Sequence, residues 1–501
     1  MTLTLLGAVA AAGLLLRLLP FLVQSRRGSD HWFWMLYVET LHEHRRFPPK
    51  LPFLLDEQQW YPPLFPLLLA CLPVSWLKRQ ARLIAPLVDT IQLVALMAVV
   101  HRAAGSATAA GLAGGLYAVA PLCVDYNYQL NPRGLGALAL SIQLILYYAH
   151  TQTPDLHLLG VILILGAAIL LLHKMTSQMM ILFFLFRGVW SSDATALALI
   201  PASAAAAWLV SGGFYWKVLK AHADIVVFFN RHWRTINAHQ YYDSDIYRKE
   251  TEGRRLAHLG GLAGVRRHLK NIVAANPSIL PLTALVVTLS RSLTPLEAYC
   301  VEWLAAASIW ALATSLISPL KCLGAGVYYT YNAVFPIALL SGILVLDTGS
   351  LGPLAYAASV FTCAAVILRI LRRKRQVGSS SAPVADIQPI LDVLRELPEG
   401  ALYCVPLGLS DRVAYATRRE VLWGAHGYGF NNLEPLYPVM RVPLEDLLRT
   451  HAIRFVLINR EYAKEEEIVQ DLESWRTIVK NGPFTLYETP YFTAYEPAET
   501  V

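Results

Sequence analysis

Residues 25–69 read SRRGSDHWFWMLYVETLHEHRRFPPKLPFLLDEQQWYPPLFPLLL, directly after an apolar stretch, Thr2–Val23. That stretch has about the 20 apolar residues needed to cross a bilayer core. Asp30 therefore sits just past a membrane helix, behind the turn Gly28-Ser29 and ahead of Trp32, Phe33 and Trp34, which have the aromatic character of a membrane interface. A carboxylate in that position is costly unless it is paired or used. Two readings stay open: Asp30 caps a helix beginning at His31, a favoured role for Asp, or it acts as a base or carboxylate ligand.

The rest of the chain fits a bilayer. Charged residues make up 15% of 501, far below the roughly 25% of soluble chains, and the mean hydropathy is +0.43. Long apolar runs recur at 159–172, 194–210 and 298–317. The first run lacks a basic leader and a small-residue cleavage site, so it reads as a retained helix. Eleven spans are expected, at Thr2–Val23, 83–101, 108–124, 134–148, 156–173, 179–189, 194–216, 278–290, 298–317, 332–346 and 351–371. Residues 63–76 are either a further crossing or a helix lying on the outer surface, and the second is preferred. Residues 376–383, QVGSSSAP, read as a flexible linker. Beyond it, apolar strands at 401–405 and 455–458 alternate with a helical stretch at 444–450, the pattern of a small α/β domain. The expected architecture is mainly α: a polytopic membrane domain over 1–375, with loops at 24–82 and 217–277, and a soluble α/β domain over 384–501.

Charge divides along the same line. The tail from residue 376 holds 11 Lys/Arg against 18 Asp/Glu, leaving 31 against 17 in the membrane part. A basic membrane region meets anionic headgroups or a phosphorylated substrate. The six cysteines are scattered, with no zinc or redox spacing. Nothing in the pattern calls for nucleic acid.

GSDHWFWMLYVETL followed by DEQQWYPPLFPLLLA resembles the first external loop of GT-C glycosyltransferases, in which an acid follows the first span and a Tyr-Pro-Pro-Leu segment precedes the next. The pattern is most similar to the catalytic subunit of oligosaccharyltransferases, and more loosely to protein O-mannosyltransferases and aminoarabinose transferases. KCLGAGVYYTYNAVFP, residues 321–336, is similar to that class's Gly-rich turn leading into a span, and residues 405–426 resemble the start of its soluble domain. The resemblance implies a GT-C fold and an inverting transfer from a polyprenyl phosphate or pyrophosphate sugar to a glycan, lipid or protein acceptor. Asp30 would be the base that activates the acceptor. It also implies a multi-pass protein of the bacterial inner membrane, with residues 24–82 and the C-terminal domain outside. The basic run 372–375, RRKR, votes against that orientation.

The sequence departs from oligosaccharyltransferases in two places. Their second external loop carries a pair of acids for a divalent metal, and VDYNYQLNPRG, residues 124–134, has Asn131 and Arg133 nearest those positions. No metal is therefore expected to be required, with Mn or Mg through Asp125, Asp243 and Asp245 as the remaining possibility. Arg133 becomes a candidate phosphate clamp, because its planar fork suits phosphate. The Trp-Trp-Asp motif that reads an asparagine sequon is also absent, its place taken by CVPLGLSD at 404–411.

Position supplies the other candidates for substrate binding: Arg27 and His31 beside Asp30, His173 and Lys174 at the end of an apolar run, and Lys321 and Tyr329 around the turn Gly324-Ala325-Gly326. Residues 217–270 hold 11 Lys/Arg against 5 Asp/Glu, a possible cover over the donor with an amphipathic second half lying on membrane lipid. A transporter or flippase of lipid-linked sugar would suit the same basic residues, but no internal repeat marks one. An O-antigen ligase or polymerase would carry its large loop late in the chain.

Overall fold

The computed structural model describes residues 2–23, 28–55, 60–235, 239–241, 261–380, 387–424 and 429–492. The described helices begin with α1 Thr2–Val23 and α2 Ser29–His44, then the short α3 Leu64–Ala70 and α4 Val74–Gln80. Next come α5 Ile84–Ala104, α6 Ala107–Ala118, α7 Pro121–Tyr126, α8 Arg133–Gln152, α9 Leu156–Leu170, α10 Lys174–Trp190, α11 Ala194–Val210 and α12 Phe214–Arg231. Next among the described residues come α13 Gly261–Ala275, α14 Ile279–Thr288, α15 Pro295–Leu316, α16 Val334–Asp347 and α17 Leu351–Ser380, with 3-10 turns Ser318–Leu323 and Gly326–Ala333 between α15 and α16. The C-terminal part contains α18 Gln388–Glu396, β1 Ala401–Val405, α19 Ser410–Thr417, α20 Leu444–Thr450, β2 Ile453–Asn459, α21 Glu465–Ile468, β3 Arg476–Asn481 and β4 Phe484–Glu488.

Local chemistry sets several of these boundaries. Asp155 and Asp193 cap α9 and α11 by accepting backbone N–H bonds, and Thr294 with Glu297 forms a capping box at α15. All eleven apolar stretches are helical. Among the described residues, six helices are individually long and apolar enough to cross a bilayer, and α13 with α14 passes as a pair bent by 82°. The stretch 108–124 breaks into α6 and α7 because Pro121, lacking an N–H, starts a new helix rather than continuing one. Residues 63–76 divide between α3, seven residues and about 10 Å long, too short to cross by itself, and the start of α4, which runs on into α5 as one stretch, Val74–Ala104, long and apolar enough to cross. At the other end α17 runs to Ser380, through the first residues of the expected linker, where no proline stops a helix before Pro383.

The chain forms two compact units. The first comprises Met1–Arg27, Pro62–His222 and Gly260–Gly378. Its helices pack through small residues, as lipid offers no hydrophobic drive for helix association. A Cβ on Gly342 of α16 would lie 2.6 Å from Ala113 Cβ and 2.7 Å from Ala109 O of α6, so only glycine permits that approach. Polar bonds reinforce the packing. Arg17 of α1 and Asp89 of α5 form a fully buried ion pair, and Asp89 Oδ1 also accepts from the hydroxyls of Tyr117 and Tyr331, each at 2.8 Å. Arg17 donates three further N–H bonds, to the carbonyls of Gly13, Tyr117 and Ala118. Removing one partner strands a buried charge, which costs about 3–5 kcal/mol. Asp89→Ala should therefore lower the unfolding midpoint in detergent sharply, and the double variant Arg17→Leu/Asp89→Leu should lose less. A double variant as unstable as the single one would refute this account.

The second unit comprises Gly28–Tyr61, Ala223–Leu259 and Ser379–Val501. Its four-stranded sheet has the order β1-β2-β4-β3, with β1 parallel to β2 and the other pairs antiparallel. The first loop extends this sheet: Phe53 bridges Val421, which bridges Leu402 of β1, with Leu54 N donating to Val421 O at 3.0 Å and Val421 N to Pro52 O at 2.9 Å. The end of α12 joins it too. Phe228 packs on Phe430 and Tyr437, and His232 lies between Glu434 at 3.2 Å and Arg441 at 2.9 Å. Three separate stretches of sequence thus build this unit.

Candidate functional site

Within the first unit, the candidates gather where the N-terminal turns of α8 and α10 meet the segment from Lys321 to Tyr331. Arg133 opens α8, its backbone N–H held by Asn131 Oδ1 at 2.9 Å. The guanidinium lies beside two rings packed edge to face, its carbon 4.6 Å from the centre of Tyr126 and 4.9 Å from that of Tyr328. Each such contact contributes about 0.5–2 kcal/mol. Its Nε and Nη1 are buried and make no hydrogen bond among the described residues.

One turn into α8, a Cβ on Gly136 would lie 2.5 Å from Thr176 Oγ1 and 3.4 Å from His173 Cβ, so α8 and α10 touch at their first turns. His173 caps α10: its Nδ1 accepts from the Thr176 hydroxyl at 2.9 Å and faces the Thr176 backbone N–H at 3.4 Å. That places the ring proton on Nε2. Lys174 follows, and its charge adds to burial in pushing His222 of α12 down to about 3. The two helix N-termini each carry partial positive charge.

Lys321 stands on the 3-10 turn Ser318–Leu323, 8% exposed, and burial lowers its pKa from the usual lysine range. The chain then turns at Gly324, whose φ of +124° favours glycine. Gly326 passes so close to α15 that a Cβ would meet Ala311 O at 2.0 Å. Tyr329 secures this turn, its hydroxyl bonding Leu323 O at 2.7 Å and Gln178 of α10. The ring on Arg133 belongs to its neighbour Tyr328. Beside the cluster, a cavity of about 130 Å³ is lined by Phe65, Leu69, Ile84, Val88, Asn131 and Leu135. Asn131 and Leu135 flank Arg133 in sequence.

Asp125 pairs with Lys374 at 2.7 Å, and the same ammonium lies 4.0 Å from the centre of the Tyr128 ring. Among the described residues no group of three His, Cys, Asp or Glu side chains is placed to hold a metal ion. Arg27, Asp243 and Asp245 lie outside the described residues.

Asp30 and His31 belong to the second unit. Helix α2 starts at Ser29 with Gly28 at the N-cap position and no side-chain cap, so Asp30 is the second helical residue. Its half-buried carboxylate lies in the first turn, where the helix dipole favours negative charge. His31 is buried, its ring edge-on to Trp32 at 5.1 Å. Sequence reasoning passed over Tyr126 and Glu39, and read Tyr328 only within the run 328–331, for packing isoprenoid or for the interface belt. Glu39 is buried, accepting from Tyr415 at 3.0 Å and Arg418 at 2.5 Å.

No family model matches the sequence, and no curated protein matches it. Solved structures do. The archaeal oligosaccharyltransferase AglB from Archaeoglobus fulgidus, in complex with an inhibitory peptide and a dolichol-phosphate, superposes with a TM-score of 0.54 at 13% identity, over 92% of this chain and 69% of that one. ArnT from Cupriavidus metallidurans bound to undecaprenyl phosphate gives 0.58 at 13% identity, over 96% of this chain and 97% of that one. This is the GT-C fold. The match to ArnT runs nearly end to end on both chains, so the membrane helices and the C-terminal sheet alike belong to that fold. A second structure of the Archaeoglobus fulgidus oligosaccharyltransferase, a complex with Zn and sulfate, matches at a TM-score of 0.55 and 12% identity, over 93% of this chain and 71% of that one. At these identities the GT-C likeness speaks for fold alone.

Proposed function

We propose that the chain is an inner-membrane glycosyltransferase that moves a sugar or glycan from a polyprenyl phosphate or pyrophosphate to an acceptor on the outer face. The observation that carries this reading is Arg133: a guanidinium set against two rings, with two buried N–H donors lacking an acceptor among the described residues. Such donors are costly to leave unmade, and a phosphate supplies the acceptors they lack. The α8 and α10 N-termini, Lys174 and Lys321 add positive character around it. An arriving anion would also favour the charged form of Lys321, which burial disfavours. The adjoining cavity is apolar enough for isoprenoid carbons. That two structures of the same fold hold dolichol-phosphate and undecaprenyl phosphate supports the choice of lipid.

In this reading Asp30 accepts the proton of the acceptor nucleophile as that atom attacks the anomeric carbon. The bond from that carbon to the phosphate oxygen breaks on the opposite face, its electron pair passing to the phosphate, and the anomeric configuration inverts. The test is transfer by purified protein from synthetic polyprenyl-phosphate sugars, with product read by mass spectrometry. Turnover of no donor across a panel of sugars would refute the proposal. The same assay should run undiminished in EDTA, because Asp125 is committed to Lys374. Loss on chelation, restored by manganese or magnesium, would return Asp125, Asp243 and Asp245 as ligands.

Residues 28–61 of the first loop and the C-terminal domain share one compact unit, so both should face the same side. We place that side outside. The pairing of Lys374 with Asp125 removes one charge from the contrary vote of RRKR. With the exposed native Cys71 replaced by Ser, both His44→Cys and Glu473→Cys should react with an impermeant maleimide in intact cells. Protection of both would invert the orientation.

A further inference from the structure

Helix α2 has two opposed faces. At about 100° per residue, Asp30, Phe33, Trp34 and Tyr37 share one face, while Trp32, Glu39 and Glu43 lie on the other. The second face is held by α19 and the residue that ends it. Trp32 packs on Tyr415 at 5.3 Å, with Arg412 5.7 Å from its ring centre. Both oxygens of Glu39 are engaged, Oε1 by the Tyr415 hydroxyl and Oε2 by Arg418, which also reaches Glu43 at 3.2 Å. Arg418 sits at the C-cap of α19 in the left-handed conformation, φ 59°, a strained setting for an arginine. The first face packs differently, Phe33 and Trp34 lying against Tyr61 at 6.5 and 4.9 Å.

We infer that Glu39 is a positioning residue: through Arg418 and Tyr415 it fixes the rotation of α2 about its axis, and with it the direction of the Asp30 carboxylate. The C-terminal domain thereby takes part in catalysis without touching the reacting atoms. Nine residues separate Glu39 from Asp30, two and a half helical turns, so the grip on one face sets the aim of the other. A helix held only by apolar contacts could roll by tens of degrees, and a displacement near 1 Å at a reacting group costs about 10²-fold in rate.

The inference rests on the reading of Asp30 as base, and the experiment separates the two. In the purified full-length protein, Glu39→Ala should lower kcat about 10²-fold, leave KM within about twofold and keep the thermal midpoint near that of the native protein. The charge exchange Glu39→Arg/Arg418→Glu should restore part of the loss. If Glu39→Ala does not fold, Tyr415→Phe, which removes the hydroxyl bonded to Glu39, should still lower kcat at unchanged KM. Unchanged kcat in the folded Glu39 or Tyr415 variants, with Asp30→Asn inactive, overturns the positioning role and leaves the base reading intact. Full activity of Asp30→Asn overturns the base reading and this inference together. A loss in KM alone, or no recovery on charge exchange, also overturns it.

Discussion

Asp30→Asn is expected to lower sugar transfer by about 10²- to 10⁴-fold, the usual worth of general-base help, while leaving expression and thermal stability in place. The geometry explains why folding should tolerate the change. Asp30 is not the N-cap of α2, since Gly28 occupies that position and Ser29 already opens the helix. Loss of its charge therefore removes a favourable interaction with the helix dipole, about 0.3–1 kcal/mol, and no cap. Asn keeps the shape and a hydrogen-bonding oxygen but cannot take a proton. The fall should appear in kcat rather than KM, because the proton leaves in the transition state. Asp30→Glu, which keeps the base but shifts it, should retain a measurable fraction. Native turnover by Asp30→Asn would leave the residue no more than a charge on the helix end.

Much of the fold was legible because bilayer helices announce themselves by length and composition, and all eleven apolar stretches proved helical. The C-terminal strands at 401–405 and 455–458 were legible for the same reason, as short buried apolar runs. The hairpin of β3 and β4 was not read, although Asn481-Gly482 marks its turn and Gly482 has the positive φ that such turns favour. Polar burial within the membrane was the harder part. Arg17 stood in plain view inside an apolar helix and Asp89 inside another, but 72 residues separate them and neither contains a sign of the other. The assembly of the second unit from three distant stretches is equally silent in sequence, since the bonds of Leu54 and Val421 are backbone bonds that any residue would make.

The candidate residues were legible by type but not in arrangement. Phosphate chemistry asks for a cation, and Arg133 offers one near the second loop, but the run of tyrosines at 328–331 does not say which ring lies beside it. Which ring meets Arg133 depends on the path of the Gly324–Gly326 turn, and that path puts Tyr328 on Arg133 and turns the Tyr329 hydroxyl to Leu323. The consecutive tyrosines look alike in sequence because their environments differ only by the rotation of one residue.

Arg133 gives the sharpest test, because stability and activity should move independently. Most buried arginines hold the fold through bonds that disappear on substitution, and Arg17 is such a case, with four protein partners. Arg133 offers its buried Nε and Nη1 to no acceptor among the described residues. Their desolvation is unrecovered in the free protein, at about 1–3 kcal/mol for an unsatisfied group. Arg133→Met keeps a similar apolar stem beside Tyr126 and Tyr328, loses the cation–π contacts and relieves that cost. Its thermal midpoint should equal or exceed the native one. Transfer should fall by about 10²- to 10³-fold, the loss seen when one donor to developing charge is removed. Arg133→Lys should recover only part of this, as an ammonium keeps the charge without the planar fork. Free polyprenyl phosphate should raise the midpoint of the native protein and not that of Arg133→Met, a ligand shift that depends only on binding to the folded state. A destabilised Arg133→Met would assign the residue to the fold, and a stable, fully active one would remove it from the phosphate site.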